Sequence, residues 1–254
     1  MTDFWKTAIS RVRPNEILVR GYPIEQLVEN CSFGDTVFLL LTGDLPRGKE
    51  GKLIEAMLVG SCEHSLASPS VDAVRFVASS GVPLQTAVAA GISAIGDVHG
   101  GAIEPCARML QNAVAKGASA EEVINAFRAE KKRIPGFGHP VHTDDPRSDA
   151  LLKLAKQWQL AGPHTQLAKE MEALTSTLVG RRLTINVDGI IAALLCDMGI
   201  DPALGKAIFI IGRAPGYCAH SYEQSERERP FKAAAWEDIT YTGPDRRDVE
   251  KDDA

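Results

Sequence analysis

The chain is expected to be mainly α-helical, and three observations carry that expectation. Alanine, leucine, isoleucine and glycine are plentiful while aromatic residues make up only 6%. Helix-start signatures recur, as Ser119-Ala120-Glu121-Glu122 and as Asp145-Pro146: the first has capping-box form, the second a cap residue followed by proline in the first turn. Strand and helix patterns do not alternate, and no internal repeat or low-complexity tract appears. At 254 residues the chain can build one substantial core, or two lobes that share one.

Taken in order, the first segment, through about Pro23, is mixed, and Arg20-Gly21-Tyr22-Pro23 reads as a turn. Pro23 to Leu27 opens a short helix. The apolar run from Asp35 to Thr42, ended by Gly43, reads as a buried helix, with a strand as the alternative from composition alone. Lys49 to Gly60 is helical in pattern, with Leu53, Ile54, Met57 and Leu58 on one side. Two small-residue helices follow between Ser70 and Gly96, with Ser70 expected to cap the first. Further helices are expected from Gly101 to Lys116, from Ser119 to about Lys132, and near 146–161, 164–179, 188–198 and 202–225. Helices this apolar must bury their faces against each other or a partner. The charged tail from Gly243 to Ala254 has too few apolar residues to pack.

The formal charge of −5 argues against a dedicated nucleic-acid binder, which would be basic. Five cysteines without metal-ligand spacing point to reduced thiols and a cytoplasmic setting. Met1 to Lys6 has no apolar run behind basic residues, so it does not read as a signal peptide. The apolar stretches are broken well short of a membrane span.

Three glycine-associated runs carry chemistry. They are Asp97-Val98-His99-Gly100-Gly101, Gly136-Phe137-Gly138-His139-Pro140-Val141 with Asp144-Asp145-Pro146-Arg147 behind it, and Asn186-Val187-Asp188-Gly189. An imidazole exchanges a proton near neutral pH, and an arginine is a fixed cation. Two histidines, an aspartate and several arginines in such turns suggest acid/base work on a small anionic substrate.

Together and in this order, the runs resemble the citrate synthase superfamily over almost the whole chain. Arg20-Gly21-Tyr22-Pro23-Ile24-Glu25 is similar to its N-terminal signature, and Thr36 to Pro46 to the helix that follows. The runs around His99, His139 and Asp188 match its three catalytic segments, and Gly212-Arg213-Ala214-Pro215-Gly216-Tyr217-Cys218-Ala219-His220 its late arginine helix. The resemblance implies a two-lobed helical fold. The large lobe would hold residues 1–102 and 206–254, and a smaller, mobile lobe residues 103–205.

The resemblance also implies roles. Asp188 would exchange a proton with the methyl carbon of acetyl-CoA. His99 would hydrogen-bond the thioester oxygen, and His139 would hold the oxygen at the ketone or alcohol carbon and pass its proton. A thioester α-proton is weakly acidic, so a carboxylate must act while a donor stabilises charge on oxygen. Arg147, Arg213 and Arg229, with His64, would bind the substrate carboxylates; a guanidinium can grip a carboxylate through two parallel bonds. Arg229 in Glu228-Arg229-Pro230 would reach the neighbouring subunit's site, which implies a homodimer; Arg227 competes for that role. Arg133, Pro135, Gly136 and Gly138 would meet coenzyme A. The CoA thioester is then a substrate, and neither a metal nor a permanently bound cofactor is implied.

The chain departs from full-length citrate synthases in its short connection from Arg47 to Glu63, in Glu63 where an aspartate is usual, and in Ser65-Leu66-Ala67-Ser68 after His64. This compact form is more similar to citryl-CoA lyases and to the lyase module of ATP-citrate lyase, as are Ala219 to Gln224 and Trp236 to Tyr241. It implies cleavage of citryl-CoA, or a similar 3-hydroxy-3-carboxyacyl-CoA, to acetyl-CoA and oxaloacetate, with His139 taking the hydroxyl proton. Lobe closure would exclude water. A condensing synthase and a non-catalytic CoA-binding subunit are the alternatives.

Other residues receive plainer readings. His142 is read as a solvent or helix-start residue, with contact to substrate as the alternative; His164 is an N-terminal helix residue, and His220 either packs near the arginine helix or has a function of its own. Cys106, Cys196 and Cys218 are core fillers. Lys131, Lys132 and Arg133 either complement a helix C-terminus or contact CoA phosphates.

Overall fold

The computed structural model describes residues 4–139 and 141–248. The readings of Met1 to Asp3, of Pro140 and of residues 249–254 lie outside the described residues. Eleven α-helices carry the described fold, as the composition predicts.

One feature was not anticipated. The mixed first segment is an antiparallel three-stranded sheet: β1 (Ser10–Arg13), β2 (Glu16–Val19) and β3 (Tyr22–Pro23), in that order. Arg20 and Gly21 both have positive φ (50° and 88°), which suits a tight hairpin between β2 and β3. These strands are too short for alternation to announce them, so the turn was legible and the strands were not.

Helices α1 (Ile24–Asn30), α2 (Phe33–Thr42) and α3 (Glu50–Ser61) follow. The run after Asp35 is the helix α2, opened by a capping box between Ser32 and Asp35 and closed at Gly43, whose φ is 101°. It is not buried all round, since Phe33 is 63% exposed. Helices α4 (Pro69–Ala78) and α5 (Leu84–Ser93) pack on each other. The cap position of α4 is Ser68, and Ser70 lies inside the helix, free for another task.

Helix α6 (Ile103–Lys116) ends at Gly117. Ser119 and Glu122 form the expected capping box of α7 (Ala120–Ala129). This helix stops before the predicted Lys132, and Lys131 already has φ 54°. Asp145 caps α8 (Pro146–Gln157), which is shorter than predicted, and α9 spans Pro163–Val179. Helix α10 (Val187–Asp197) is buried on nearly every face, with Ile190 to Cys196 all in the core. It is the central element, packed by α6, α8 and α9.

A short 3₁₀ turn at Pro202–Leu204 leads into α11 (Gly205–Arg227). Pro215 lies within α11 and removes one internal N–H donor. Gly212 lets α11 approach α3 closely: a Cβ there would sit 2.9 Å from Ser61 Cβ. The main core runs without a break from Val37 and Leu53 through α6–α10 to Phe209. A smaller cluster joins Val71, Val74 and Ala87 to Tyr217. After α11 the chain runs exposed to residue 248, with a 3₁₀ turn at Trp236–Asp238. Cys106 and Cys196 are core residues, whereas Cys218 is exposed on α11 rather than filling the core. No described helix is long and apolar enough to cross a membrane.

Candidate active site

Two of the three sequence runs are zipped together by backbone. Gly138 N–H donates to Thr184 O at 2.7 Å, and Asn186 N–H donates to Gly136 O at 3.1 Å. The Asn186 amide also donates to Gly138 O at 2.8 Å. Gly136 permits the approach, since its φ is 80° and a Cβ would lie 2.6 Å from Gly189 Cα. Glu172 of α9 braces the far side, accepting from Thr184 Oγ1 at 3.0 Å and Ile185 N–H at 2.9 Å. The histidine turn and the start of α10 therefore move as one piece.

Asn186 caps α10 by accepting from Gly189 N–H at 3.1 Å, and Asp188 is the second helical residue. A helix N-terminus favours a carboxylate, but here burial dominates. It pushes the Asp188 carboxyl up to about 6, against the pull of Arg147 and Arg213. Oδ1 is out of solvent and has no hydrogen-bond partner among the described residues. A buried carboxylate oxygen with nothing to bond is costly unless a ligand meets it.

His139 follows Gly138. Its Nδ1 accepts the backbone N–H groups of Val141 and His142, each at 3.1 Å. A neutral His139 therefore carries its proton on Nε2 and offers a donor outward. Burial, then His142, His64 and Arg147, hold it neutral by lowering its pKa, against Asp145. In this tautomer the ring would meet a substrate oxygen by donation from Nε2.

His64 has the opposite arrangement. Burial, followed by Arg147, lowers its pKa, while a bond to its own backbone favours the protonated form. Its Nε2 is buried without a partner among the described residues. The N–H thus belongs to Nδ1, and Nε2 is left as a bare acceptor. His142 is not the plain solvent or helix-start residue expected. It stacks on His139 with ring centroids 4.4 Å apart and meets His64 edge-on at 5.5 Å. One nitrogen from each of the three rings lies within 4.8 Å of the others. That spacing would suit a metal, but the outward nitrogen of His139 bears a proton where a metal needs a lone pair, so the donor set does not fit.

His99 sits in a loop closed by reciprocal Gly96 and His99 backbone bonds of 2.9 Å. Its Nε2 meets Ser70 Oγ at 2.6 Å, which is the task of Ser70 in place of capping. Burial, then Arg213, lowers the His99 pKa. If the Ser70 hydroxyl donates in this pair, a neutral His99 carries its proton on Nδ1.

The arginines differ. Arg213 is 2% exposed; its Nε donates to Ser61 O at 2.6 Å, while Nη1 is buried without a partner among the described residues. It is a cation prepared for an anion. Arg147 is already engaged: its Nε and Nη2 bond Asp145 at 2.9 and 2.7 Å. Asp145 is buried and also accepts Val187 N–H at 3.1 Å. The fork that sequence reasoning offers to substrate is thus turned to Asp145, leaving Nη1 for substrate. Arg229 is exposed beyond the end of α11, its carbonyl accepting from Gln224 at 3.0 Å, and it does not join this cluster.

A cavity of about 920 Å³ opens beside His139 and His142. Arg128, Lys132, Arg133, Arg181 and Arg182 line it, with Phe137 and Gly138 on its wall. Pro135 and Gly136 lie in the same turn. Gly136 is buried, and it serves the contact with α10.

His64, His139, Asp188, Arg147 and Arg213 are thus brought together, with His99 joined through Arg213. Sequence reasoning missed Ser70, Arg128, Arg181 and Arg182, and favoured the plainer of two roles for His142. The pair Arg181-Arg182 was a visible signal; Ser70 gave none, because its partner is 29 residues away. His164, on α9, is occupied by Asp197 at 2.8 Å, and His220 by Glu63 at 3.1 Å.

Comparison with known proteins places the chain in a family. The structure of citryl-CoA lyase from Hydrogenobacter thermophilus superposes with a TM-score of 0.91 at 40% identity, covering 97% of this chain and 98% of that one. ATP citrate lyase from Methanothrix soehngenii, solved with citrate and coenzyme A, shares the fold with a TM-score of 0.89 at 23% identity, covering 96% of this chain and 42% of that one. ATP-citrate synthase of Mus musculus is 29% identical over 258 residues, which cover 94% of this chain and 24% of that protein. The chain therefore spans about a quarter of the length of such animal relatives. The family described as citrate synthase, C-terminal domain, matches residues 2–53 and 47–234. By this match, nearly end to end, the chain belongs to the citrate synthase family.

Proposed function

We propose that the chain is a citryl-CoA lyase, cleaving citryl-CoA to acetyl-CoA and oxaloacetate. The observation that carries the reading is the complementary set of orphaned groups gathered about Arg147 and Arg213: the raised carboxyl of Asp188, the bare Nε2 of His64 and the unpaired Nη1 of Arg213. Full-length likeness to a citryl-CoA lyase supports it.

In this reading His139 Nε2–H holds the substrate hydroxyl oxygen, and His64 Nε2 takes the hydroxyl proton. The O–H electron pair forms the ketone of oxaloacetate, and the carbon–carbon pair passes to the acetyl enolate. His99 Nδ1–H stabilises the enolate oxygen, and the Asp188 carboxyl protonates its carbon. Arg213 and the free edge of Arg147 hold carboxylates. The five cations of the cavity suit the CoA phosphates, with the turn from Arg133 and Pro135 to Gly138 against the nucleotide.

The reading extends to the assembly. The chain works as a homodimer in the cytoplasm, with Arg229 completing the partner's site. Residues 103–205 close as a smaller lobe over 1–102 and 206–254. Cross-rescue between Arg229→Ala and Asp188→Ala proteins tests the shared site, and its absence would count against it.

The test of function is direct. Purified protein mixed with citryl-CoA should yield acetyl-CoA and oxaloacetate without free CoA. Free CoA from acetyl-CoA plus oxaloacetate would instead indicate a synthase, and silence in both assays would leave a binding subunit or another acid.

A further inference from the structure

We infer that His142 relays the proton that His64 takes from substrate out to the water of the cavity. This rests on the lyase reading above. His64 Nε2 has no contact with solvent. Once it holds the hydroxyl proton, it must lose that proton before the next turnover, through a neighbour that itself faces the cavity.

The groups around His64 leave one exit. Arg147 and Arg213 are cations and accept nothing. His139 presents a proton outward and commits its other nitrogen to two backbone donors. Glu63 grips the backbone N–H of His64 and Ser65 and the ring of His220. Burial raises its pKa, but His220 and those backbone donors bring it below the ordinary value, so it is a poor proton acceptor. His142 remains. Its ring meets His64 edge-on at 5.5 Å and also lines the 920 Å³ cavity, where His64 does not. It bridges the buried nitrogen and open water, needing only small ring movements or one water molecule to close the gap.

The protons balance. The substrate O–H proton passes to His64 Nε2, then through His142 to water. Asp188, having given its proton to the acetyl carbon, regains one from solvent when the products leave and the site opens. Cleavage itself consumes and releases none.

The experiment uses the full chain in dilute, non-nucleophilic buffer, following citryl-CoA cleavage. His142→Ala should lower kcat on the order of tenfold with little change in KM. Added imidazole should restore kcat in a concentration-dependent way. His142→Phe keeps a ring stacked on His139 but has no titratable nitrogen, and it should be as slow as the alanine variant without rescue. An unchanged kcat in His142→Ala, a wild-type rate in His142→Phe, or a loss that imidazole leaves untouched would each overturn the relay. If the wild-type chain does not cleave citryl-CoA at all, the lyase reading fails instead, so the two failures are distinguishable.

Discussion

Replacing Asp188 with asparagine tests the electrostatics of the site without removing its shape. Burial raises the Asp188 carboxyl from 3.8 to about 6. At about 1.4 kcal/mol per pH unit, the difference is about 3 kcal/mol. The sign follows from linkage. A carboxyl whose folded pKa is raised adds no cost below its unfolded value, and destabilises the fold increasingly as pH rises to the folded value. The asparagine variant escapes this cost. Its stability advantage over wild type should therefore grow by roughly 1.4 kcal/mol between about pH 5 and about pH 8, most of it before about pH 6.5. Urea unfolding of both proteins across that range reads the difference directly. In the same variant kcat for cleavage should fall by about 10²–10⁴, because the acid is gone. A stability gap that stays flat with pH would show that the carboxyl is not raised, and the argument for a buried Asp188 of raised pKa would fail with it.

Other outcomes follow from the same geometry. Cleavage needs Asp188 protonated, so its kcat/KM should fall as pH rises through about 6; because the overall reaction takes up and releases no proton, condensation should fall in parallel, and a cleavage profile flat across that range would contradict this. Arg213→Ala removes the unpaired Nη1 and should weaken substrate binding by about 2–4 kcal/mol, read as a raised KM or a raised Kd for oxaloacetate. Asp145→Ala leaves Arg147 without its buried partner and should cost about 3 kcal/mol in urea unfolding.

The sequence was most informative where the physics is local. Ser119 with Glu122, Asp145 before Pro146, and the glycines at 43 and 117 each set a helix end through neighbours within a few residues, and each stands where it was expected. The three-stranded sheet was hidden because its strands span two to four residues and bury little. Ser70 was misassigned for a related reason. A serine before a helical run is a cap by pattern, and only the fold brings His99 onto it.

The same division runs through the site. By itself the sequence determined the helical class and singled out the residues that the fold draws together: His64, His99, His139, Asp188, Arg147 and Arg213. Only the tertiary structure decided their states. The turn of Val141 and His142 makes His139 a donor, burial leaves His64 an acceptor and raises the Asp188 carboxyl to about 6, and Asp145 takes the fork of Arg147. A side chain's identity is written in the chain, but its protonation and free lone pairs depend on which groups lie a few ångströms away, and those come from distant segments.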